Sequence, residues 1–302
     1  DYVTIKYSNA GVPLWTNRYD GPANWQDWAT GIAVDTSGNV IVTGTSGRVG
    51  FDDSVHNDYT TIKYSSAGAT LWVRRFTFPS YDDAFAGPLT IASNGNVFIT
   101  GTVHNPDSGT RDIATVAYSS ASVPLWTNLF IWPGDDQPRG IAVDSRGDVF
   151  VTGYQSGMDA NSGTDAATIA YSAAGAWLWS GFYTGPAGYA QANAVAVDGN
   201  GNVFVAGSSQ TTTNISSTDF VTIKYSSVNP PPPSLSIRRT MTNTVVISWP
   251  SPSTGFVLQQ NTNRLGSVNW SNVTATVQDN GTNRFIIVNP PAGNRFYRLF
   301  KP

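Results

Sequence analysis

Cysteine and glutamate are both absent from the 302 residues. Without cysteine there can be no disulfide framework, no thiolate zinc site and no cysteine nucleophile. Without glutamate, all 20 acidic residues are aspartates. Glu favours helix interiors and Asp favours turns and caps, so an Asp-only chain with 29 glycines and many Thr and Val predicts strands joined by tight turns and almost no helix. Charge is also scarce, at 12% of residues against roughly 25% in soluble domains, so the surface is expected to be neutral and polar. No apolar run reaches the length of about 18 residues that a membrane-spanning helix needs. There is no initiator Met and no signal peptide; the chain opens inside a repeat, which implies a processed mature form or a fragment. With 40% hydrophobic and 12% aromatic residues, a folded protein of more than one domain is expected.

What is present is repetition. "DYVTIKYS" at 1–8 and "DFVTIKYS" at 219–226 differ by one letter, and related segments start at Asp58, Asp112 and Asp165, giving spacings of 53 to 57 residues. Between them recur "GIAVDTSGNVIVTG", "PLTIASNGNVFITG", "GIAVDSRGDVFVTG" and "AVAVDGNGNVFVAG", each two short β-branched runs about a Gly/Asn/Asp turn, the pattern of a hairpin. Each unit therefore has four strands: a (such as Ile32 to Asp35), b (Asn39 to Gly44), c (Tyr59 to Tyr64) and d (Thr70 to Phe76). Four-stranded units of this length read as propeller blades packed face to face, because one twisted sheet cannot bury both faces alone. The small a strands suit the crowded centre. The bulky pairs Leu14-Trp15, Leu71-Trp72, Leu125-Trp126 and Leu178-Trp179 suit the wider outer gaps.

The pattern "DYVTIKYSxxGxxLWxxRY…GIAVDxxGNVxVTG" resembles the β-propeller repeat of secreted bacterial proteins known as SBBP, which is similar to the NHL repeat. The resemblance covers about residues 1–226. It implies a bacterial propeller outside the cytoplasm, secreted or at the cell surface, and fixes no reaction. The expected fold is all-β, a four-bladed propeller with five blades as the alternative, followed by a small β-sandwich. Counting strands gives 17 where a closed four-bladed ring needs 16. If the N-terminal d strand (Leu14 to Tyr19) completes the last blade, segments 1–8 and 219–226 compete for one slot beside it.

The proline run Asn229 to Ser234 is a stiff linker between repeats at 1–228 and a tail at 235–302. The tail runs "SLSIRRT", "TVVISWP", "GFVLQQN", "NRFIIVN" and "NRFYRLF" alternate as sandwich strands do. This tail resembles the fibronectin-III-like, Ig-like modules that end many exported bacterial proteins. Charge divides at the same place: residues 1–229 carry ten Lys/Arg against nineteen Asp, net −9, and residues 230–302 seven Lys/Arg against one Asp, net +6. Arg238, Arg239, Arg284, Arg295 and Arg298 either solubilise strand faces or steer the tail to an acidic partner. No basic cluster is interleaved with stacking aromatics, so nucleic acid is not an expected partner.

Candidate chemistry is thin. His56 and His104 fall between b and c strands and read as solvent-exposed, and no GxSxG elbow supports a Ser/His/Asp triad. The d-to-a crossings hold Asp20, Asp27, Asp82, Asp83, Asp135 and Asp136 beside Trp25, Trp28, Tyr81, Phe85 and Trp132. Asp27, Trp28, Asp83, Phe85, Trp132 and Asp136 are thus candidates for binding a glycan, or for hydrolysing one if two carboxyls stand about 5–10 Å apart. Against this, Asp beside Gly and Pro is turn chemistry, and the fourth unit "YTGPAGYAQANA" has no Asp. Asp35, Asp144 and Asp198 read as hairpin-turn residues, with Ala92 in their place in the second unit. The Asp-rich loops lack the DxDxDG pattern and its distal Glu, so no metal and no cofactor is expected. The sequons at Asn214, Asn269, Asn272 and Asn280 matter only in a glycosylating host.

The function expected is a non-enzymatic extracellular scaffold that joins copies of itself, as an oligomer or filament, by strand complementation. In that mechanism Asp1, Tyr2, Val3, Thr4, Ile5, Lys6 and Tyr7, or the twin segment with Asp219, Phe220, Val221, Ile223 and Tyr225, adds to a neighbour's open edge. Alternate Val3, Ile5 and Tyr7 set the register. The alternative is a propeller that binds an envelope or extracellular polysaccharide, or acts on one as a hydrolase or lyase.

Overall fold

The computed structural model describes residues 1–50, 54–78, 83–157, 163–211, 217–226, 235–240, 244–250, 256–262, 270–279, 283–289, 293 and 295–300. Two compact units emerge, Asp1–Ser227 and Val228–Pro302. Among the described residues there is no helix.

The first unit is a series of antiparallel sheets. β1 (Tyr2–Tyr7) pairs with β2 (Pro13–Tyr19) alone. Three four-stranded sheets follow: β3 (Asp27–Val34), β4 (Val40–Val49), β5 (Val55–Tyr64) and β6 (Thr70–Phe76); β7 (Ala84–Ile91), β8 (Val97–Asn105), β9 (Thr110–Tyr118) and β10 (Pro124–Phe130); β11 (Asp136–Val143), β12 (Val149–Ser156), β13 (Thr164–Tyr171) and β14 (Trp177–Tyr183). The last sheet has three strands, β15 (Ala190–Val197), β16 (Val203–Gln210) and β17 (Thr218–Tyr225). These are the blades of a β-propeller, and the a-to-d order read from the sequence is the order within each sheet. The a and c strands of the first complete blade begin earlier than the sequence suggested, at Asp27 and Val55, and the b strand runs on past Gly44 to Val49.

Local chemistry explains the turns. In the a–b hairpins, Asp35 Oδ1 accepts the N–H groups of Ser37 and Asn39 at 3.0 and 2.9 Å, and Asp144 and Asp198 repeat the arrangement. In the c–d hairpins the hydroxyl of Ser8, Ser65, Ser119 and Ser172 accepts the N–H four residues on, 3.1 Å in each case. The recurrent "YS" is thus a strand end plus a turn cap. The last glycine of each "GNVxVTG" meets another constraint. Each a strand carries a register shift opposite it, and a Cβ on Gly44, Gly101, Gly153 or Gly207 would lie 1.8 to 2.2 Å from a carbonyl oxygen of that strand. Only glycine permits this bulge.

Blades pack through alternating side chains. The central residue of each b-strand triplet, Ile41, Phe98 and Phe150, faces the following blade, where it meets Leu89 and Ile91, Ile141 and Val143, and Val195 and Val197 respectively. On the c strands, Tyr64, Tyr118 and Tyr171 face the preceding blade and meet Trp15, Trp72 and Trp126 at 5.9, 6.5 and 5.8 Å between ring centroids. Of the Leu-Trp pairs, only the Trp enters the gap between blades. Leu14, Leu71, Leu125 and Leu178 stay exposed on the outer face of the d strand.

The expectation that the N-terminal d strand completes the last blade is not met. β2 pairs with β1, and no ladder among the described residues joins β1 or β2 to β15, β16 or β17. Both twin segments hold a c position of their own, β1 beside β2 and β17 beside β16.

The second unit has two antiparallel sheets. One orders β18 (Ser236–Arg239), β19 (Val245–Pro250), β23 (Asn283–Val288) and β22 (Gln278–Asp279); the other orders β21 (Ser271–Asn272), β20 (Val257–Asn261) and β24 (Phe296–Phe300). Ile247, Trp249, Leu258 and Ile286 form the core, drawing on both sheets.

Candidate functional site

The first unit ends in two incomplete blades, and their burial differs sharply from that of the complete ones. The c strands β5, β9 and β13 each lie between a b and a d strand, and their central residues are buried. β17 holds the same position with β16 on one side and no strand on the other among the described residues. Its Phe220 is fully exposed, and Asp219, Thr222 and Lys224 are exposed with it. Ile223 and Tyr225 pack back against the preceding blade, where the Tyr225 ring lies tilted against Trp179 at 5.0 Å.

β1 shows the opposite face. Tyr2 is buried against blade β3–β6, its hydroxyl donating to Thr60 O at 3.3 Å and its ring 5.5 Å from Tyr19. Thr4 is buried with it, and Lys6 Nζ donates to Ser66 O at 2.8 Å. Val3, Ile5 and Tyr7, which face away, remain 41 to 56% exposed. In β3, Ile32 and Val34 are exposed where their counterparts Leu89 and Ile91 are covered, because β1 and β2 supply only the outer half of a preceding blade. Within the described residues of the first unit, β17 leaves Phe220 exposed and β3 leaves Ile32 and Val34 exposed. Sequence reasoning missed Ile32, Val34 and Phe204 as parts of these faces; the alternation within "VFV" and "IAV", read against the repeat, carries that signal.

The carboxylate and aromatic candidates do not assemble into one site. Asp27 and Asp136 open the a strands of two blades that are not neighbours, and both are buried. Asp27 Oδ2 accepts Gly21 N–H at 2.9 Å and Asp136 Oδ2 accepts Trp132 N–H at 3.1 Å, while their Oδ1 atoms are buried without a partner. Burial raises the Asp136 carboxyl to about 7; the Trp132 N–H opposes this, and the charges of Asp112 and Asp135 add to it. Asp83 and Asp135 are staples between blades. Asp83 Oδ1 accepts the backbone and side-chain N–H of Asn57, 2.8 Å each, and Asp135 Oδ1 accepts Arg111 N–H at 2.9 Å. Tyr81 and Asp82 lie outside the described residues.

Among the aromatics, Trp28 and Phe85 hold equivalent positions one residue into their a strands, where the later blades have Gln137 and Gln191. Phe85, Gly87, Gly101, Thr102, Arg111, Gln137 and Pro138 line an open groove of about 300 Å³. Trp132 belongs elsewhere, stacked on Phe130 at 6.2 Å and tilted against Phe182 at 5.1 Å, both on d strands.

Asp1, Asp20 and Asp27 bring carboxylate oxygens within 4.8 Å of one another. Arg18 pairs with Asp1 there. His56 lies on β5 and His104 on β8, within strands of different blades rather than in loops. Of the sequons, Asn272 lies on β21; Asn214, Asn269 and Asn280 fall outside the described residues.

Comparison with known proteins bears on the repeat. The SBBP beta-propeller repeat matches twice, at residues 125–154 and 183–214. The first match covers the d strand β10 and the a and b strands β11 and β12, and so crosses the boundary between two blades; the second starts at Tyr183, the last residue of β14, and covers the a and b strands β15 and β16. A curated protein of Acanthamoeba polyphaga mimivirus, an uncharacterized WD repeat-containing protein, is 24% identical over 190 residues; the match covers 58% of this chain and 11% of that protein. The chain therefore spans about a tenth of that relative's length. Among solved structures, PorZ, described as an essential bacterial surface component of the type-IX secretion system of Porphyromonas gingivalis, aligns with TM-score 0.41 and 11% identity over 98% of this chain and 48% of that one. A B. megaterium levansucrase variant aligns with TM-score 0.41 and 9% identity over 93% and 87%. Among the described residues no helix is long and apolar enough to cross a membrane.

Proposed function

We propose that this chain is a non-enzymatic scaffold, working outside the cell, that joins further copies of itself head to tail through its incomplete blades. The observation that carries this is the edge of β17. It occupies a c position with no d strand beside it among the described residues, leaving backbone N–H and C=O groups and the side chain of Phe220 open to an added strand. Edge strands that avoid such pairing are short, charged or broken by proline. β17 is eight residues long and has no proline, and its two charges, Asp219 and Lys224, are of opposite sign. The opposite charges of the two units, −9 and +6, would steer copies toward one another at low salt. The placement outside the cell rests on the SBBP resemblance, and the second unit is read as a fibronectin-III-like foot. Sedimentation velocity tests the reading: weight-average mass should rise with concentration, and Phe220→Asp should weaken association by about tenfold, or 1.4 kcal/mol. A chain that stays monomeric at every concentration ends it.

A second reading is polysaccharide binding, favoured by the groove that puts the Phe85 ring beside Arg111 and Gln137. Binding on a glycan array that is lost in Phe85→Ala and Trp28→Ala would support it. Turnover lost in Asp136→Asn would make the protein a hydrolase or lyase.

A further inference from the structure

We infer that Asp1, Asp20 and Asp27 form a calcium site between the β1–β2 pair and the first complete blade. The inference is independent of the scaffold reading above. The repeat shows what the same positions do elsewhere. The ladders pair Tyr2 with Tyr19 and, one blade on, Tyr59 with Phe76, so Asp1 corresponds to Asp58 and Asp20 to Thr77. In that later blade the Thr77 hydroxyl donates to Asp58 Oδ2 at 2.9 Å. Asp20 thus places a second carboxylate where the next blade has a donor. The following a strand differs as well, since Asp27 opens β3 and Ala84 opens β7. Two changes within one repeat turn a single hydrogen-bonded carboxylate into a group of three, whose oxygens lie within 4.8 Å of one another.

Burial gives this group a need for a cation. Asp27 is 5% exposed; its Oδ2 accepts Gly21 N–H at 2.9 Å, and its Oδ1 is buried with no hydrogen-bond partner. Oδ1 lies against Gly21, the residue after Asp20, where a Cβ would come within 2.7 Å of it. A buried carboxylate oxygen is costly unless a donor, a proton or a metal ion meets it. Arg18 pairs with Asp1, so three carboxylates against one guanidinium leave a formal charge of −2. Arg75 is engaged elsewhere, with Ser46 Oγ at 2.7 Å, Gly47 O at 2.8 Å and Asp58 at 3.4 Å. The ligands are all hard oxygens. Ca2+ holds such oxygens at roughly 2.3–2.6 Å, so two of them on opposite sides of one ion stand roughly 4.6–5.2 Å apart. Three aspartates on separate segments impose no octahedral frame, which Mg2+ demands and Ca2+ does not. Bound there, the ion ties β1 and the end of β2 to the start of β3 across a blade boundary.

Calcium chloride titrated into the chelator-treated full chain, at physiological ionic strength, is expected to bind saturably by isothermal calorimetry. The melting temperature should rise by about 5 °C once free calcium is about a hundredfold above its dissociation constant. Asp20→Thr, which restores the hydroxyl found at Thr77, should weaken binding by about tenfold or more without lowering the melting temperature measured in chelator. Asp27→Asn should abolish the calcium-dependent rise. Asp136→Asn, at the position equivalent to Asp27 two blades on, should bind calcium as the original chain does. No saturable heat and no calcium-dependent melting shift would overturn the inference. Binding that survives unchanged in both Asp20→Thr and Asp27→Asn would overturn it too, because the ion would then sit elsewhere.

Discussion

Tyr2 and Phe220 fill the same position of the repeat, and Tyr2 is 1% exposed while Phe220 is wholly exposed. Each points toward the blade that should follow its own. Tyr2 has one, β3–β6, and Phe220 has none. The difference locates the open face of the chain more sharply than any single motif does, and it sets the first of four predictions.

Tyr2→Ala removes a buried ring and should lower stability by about 3 kcal/mol, whereas Phe220→Ala should change monomer stability by less than about 0.5 kcal/mol. Tyr2→Phe, which loses only the bond to Thr60 O, should cost about 1 kcal/mol. Urea unfolding at low protein concentration, where association does not contribute, gives all three values.

Asp136 should make stability fall with rising pH. Its carboxyl ionises near the usual value of 3.8 when unfolded and at about 7 when folded, so between those values the native state holds a proton that the unfolded state has released. Stability is then lost as pH rises from about 4 to about 7 and is level above that. Asp136→Asn keeps an acceptor for Trp132 N–H and should flatten this part of the profile. A melting temperature measured every half pH unit would show the two curves converging at low pH; parallel curves would mean that Asp136 ionises normally.

Asp35 should act in the opposite direction. Burial alone would raise its carboxyl, but hydrogen bonds from Lys63, with Nζ at 2.8 Å, and from Asn39 bring it down to about 2. Its contribution is present above pH 4 and lost as pH falls from about 4 to about 2. Lys63→Met leaves a carboxylate buried without its cation and should cost about 3 kcal/mol at pH 7. A loss below about 1 kcal/mol in denaturant unfolding would show that the pair is not structural.

Gly153→Ala should unfold or severely destabilise the third complete blade, by more than about 3 kcal/mol, because its Cβ would fall 1.9 Å from Gln137 O. Gly199→Ala is the control. No atom lies within 4 Å of the Cβ it would gain, and its melting temperature should not drop.

Much of the architecture was legible because it is encoded locally. Strand alternation, the Asp and Ser turn caps and the Gly at each bulge act over two to four residues, so the a-to-d order within each four-stranded sheet could be read from letters alone. Part of the carboxylate reading was legible for the same reason: Asp35, Asp144 and Asp198 cap hairpins as their Gly-Asn context implied. Asp83 and Asp135 were not, since their partners, Asn57 and Arg111, come from the preceding blade. The grouping of Trp132 with Trp28 and Phe85 failed likewise. All three sit near a d-to-a crossing in sequence, but Trp132 packs outward onto Phe182 of another blade.

The sequence by itself determined the 17 strands of the first unit, their order within each blade and the two nearly identical c strands. Which c strand pairs with β2 was decided only in three dimensions. β1 reaches β2 through the five residues Ser8–Val12, while β17 lies about two hundred residues along the chain, and that difference in loop closure favours β1 by about 3 kcal/mol. Two nearly identical segments have the same local preferences, so only the geometry that brings one of them within reach can tell them apart.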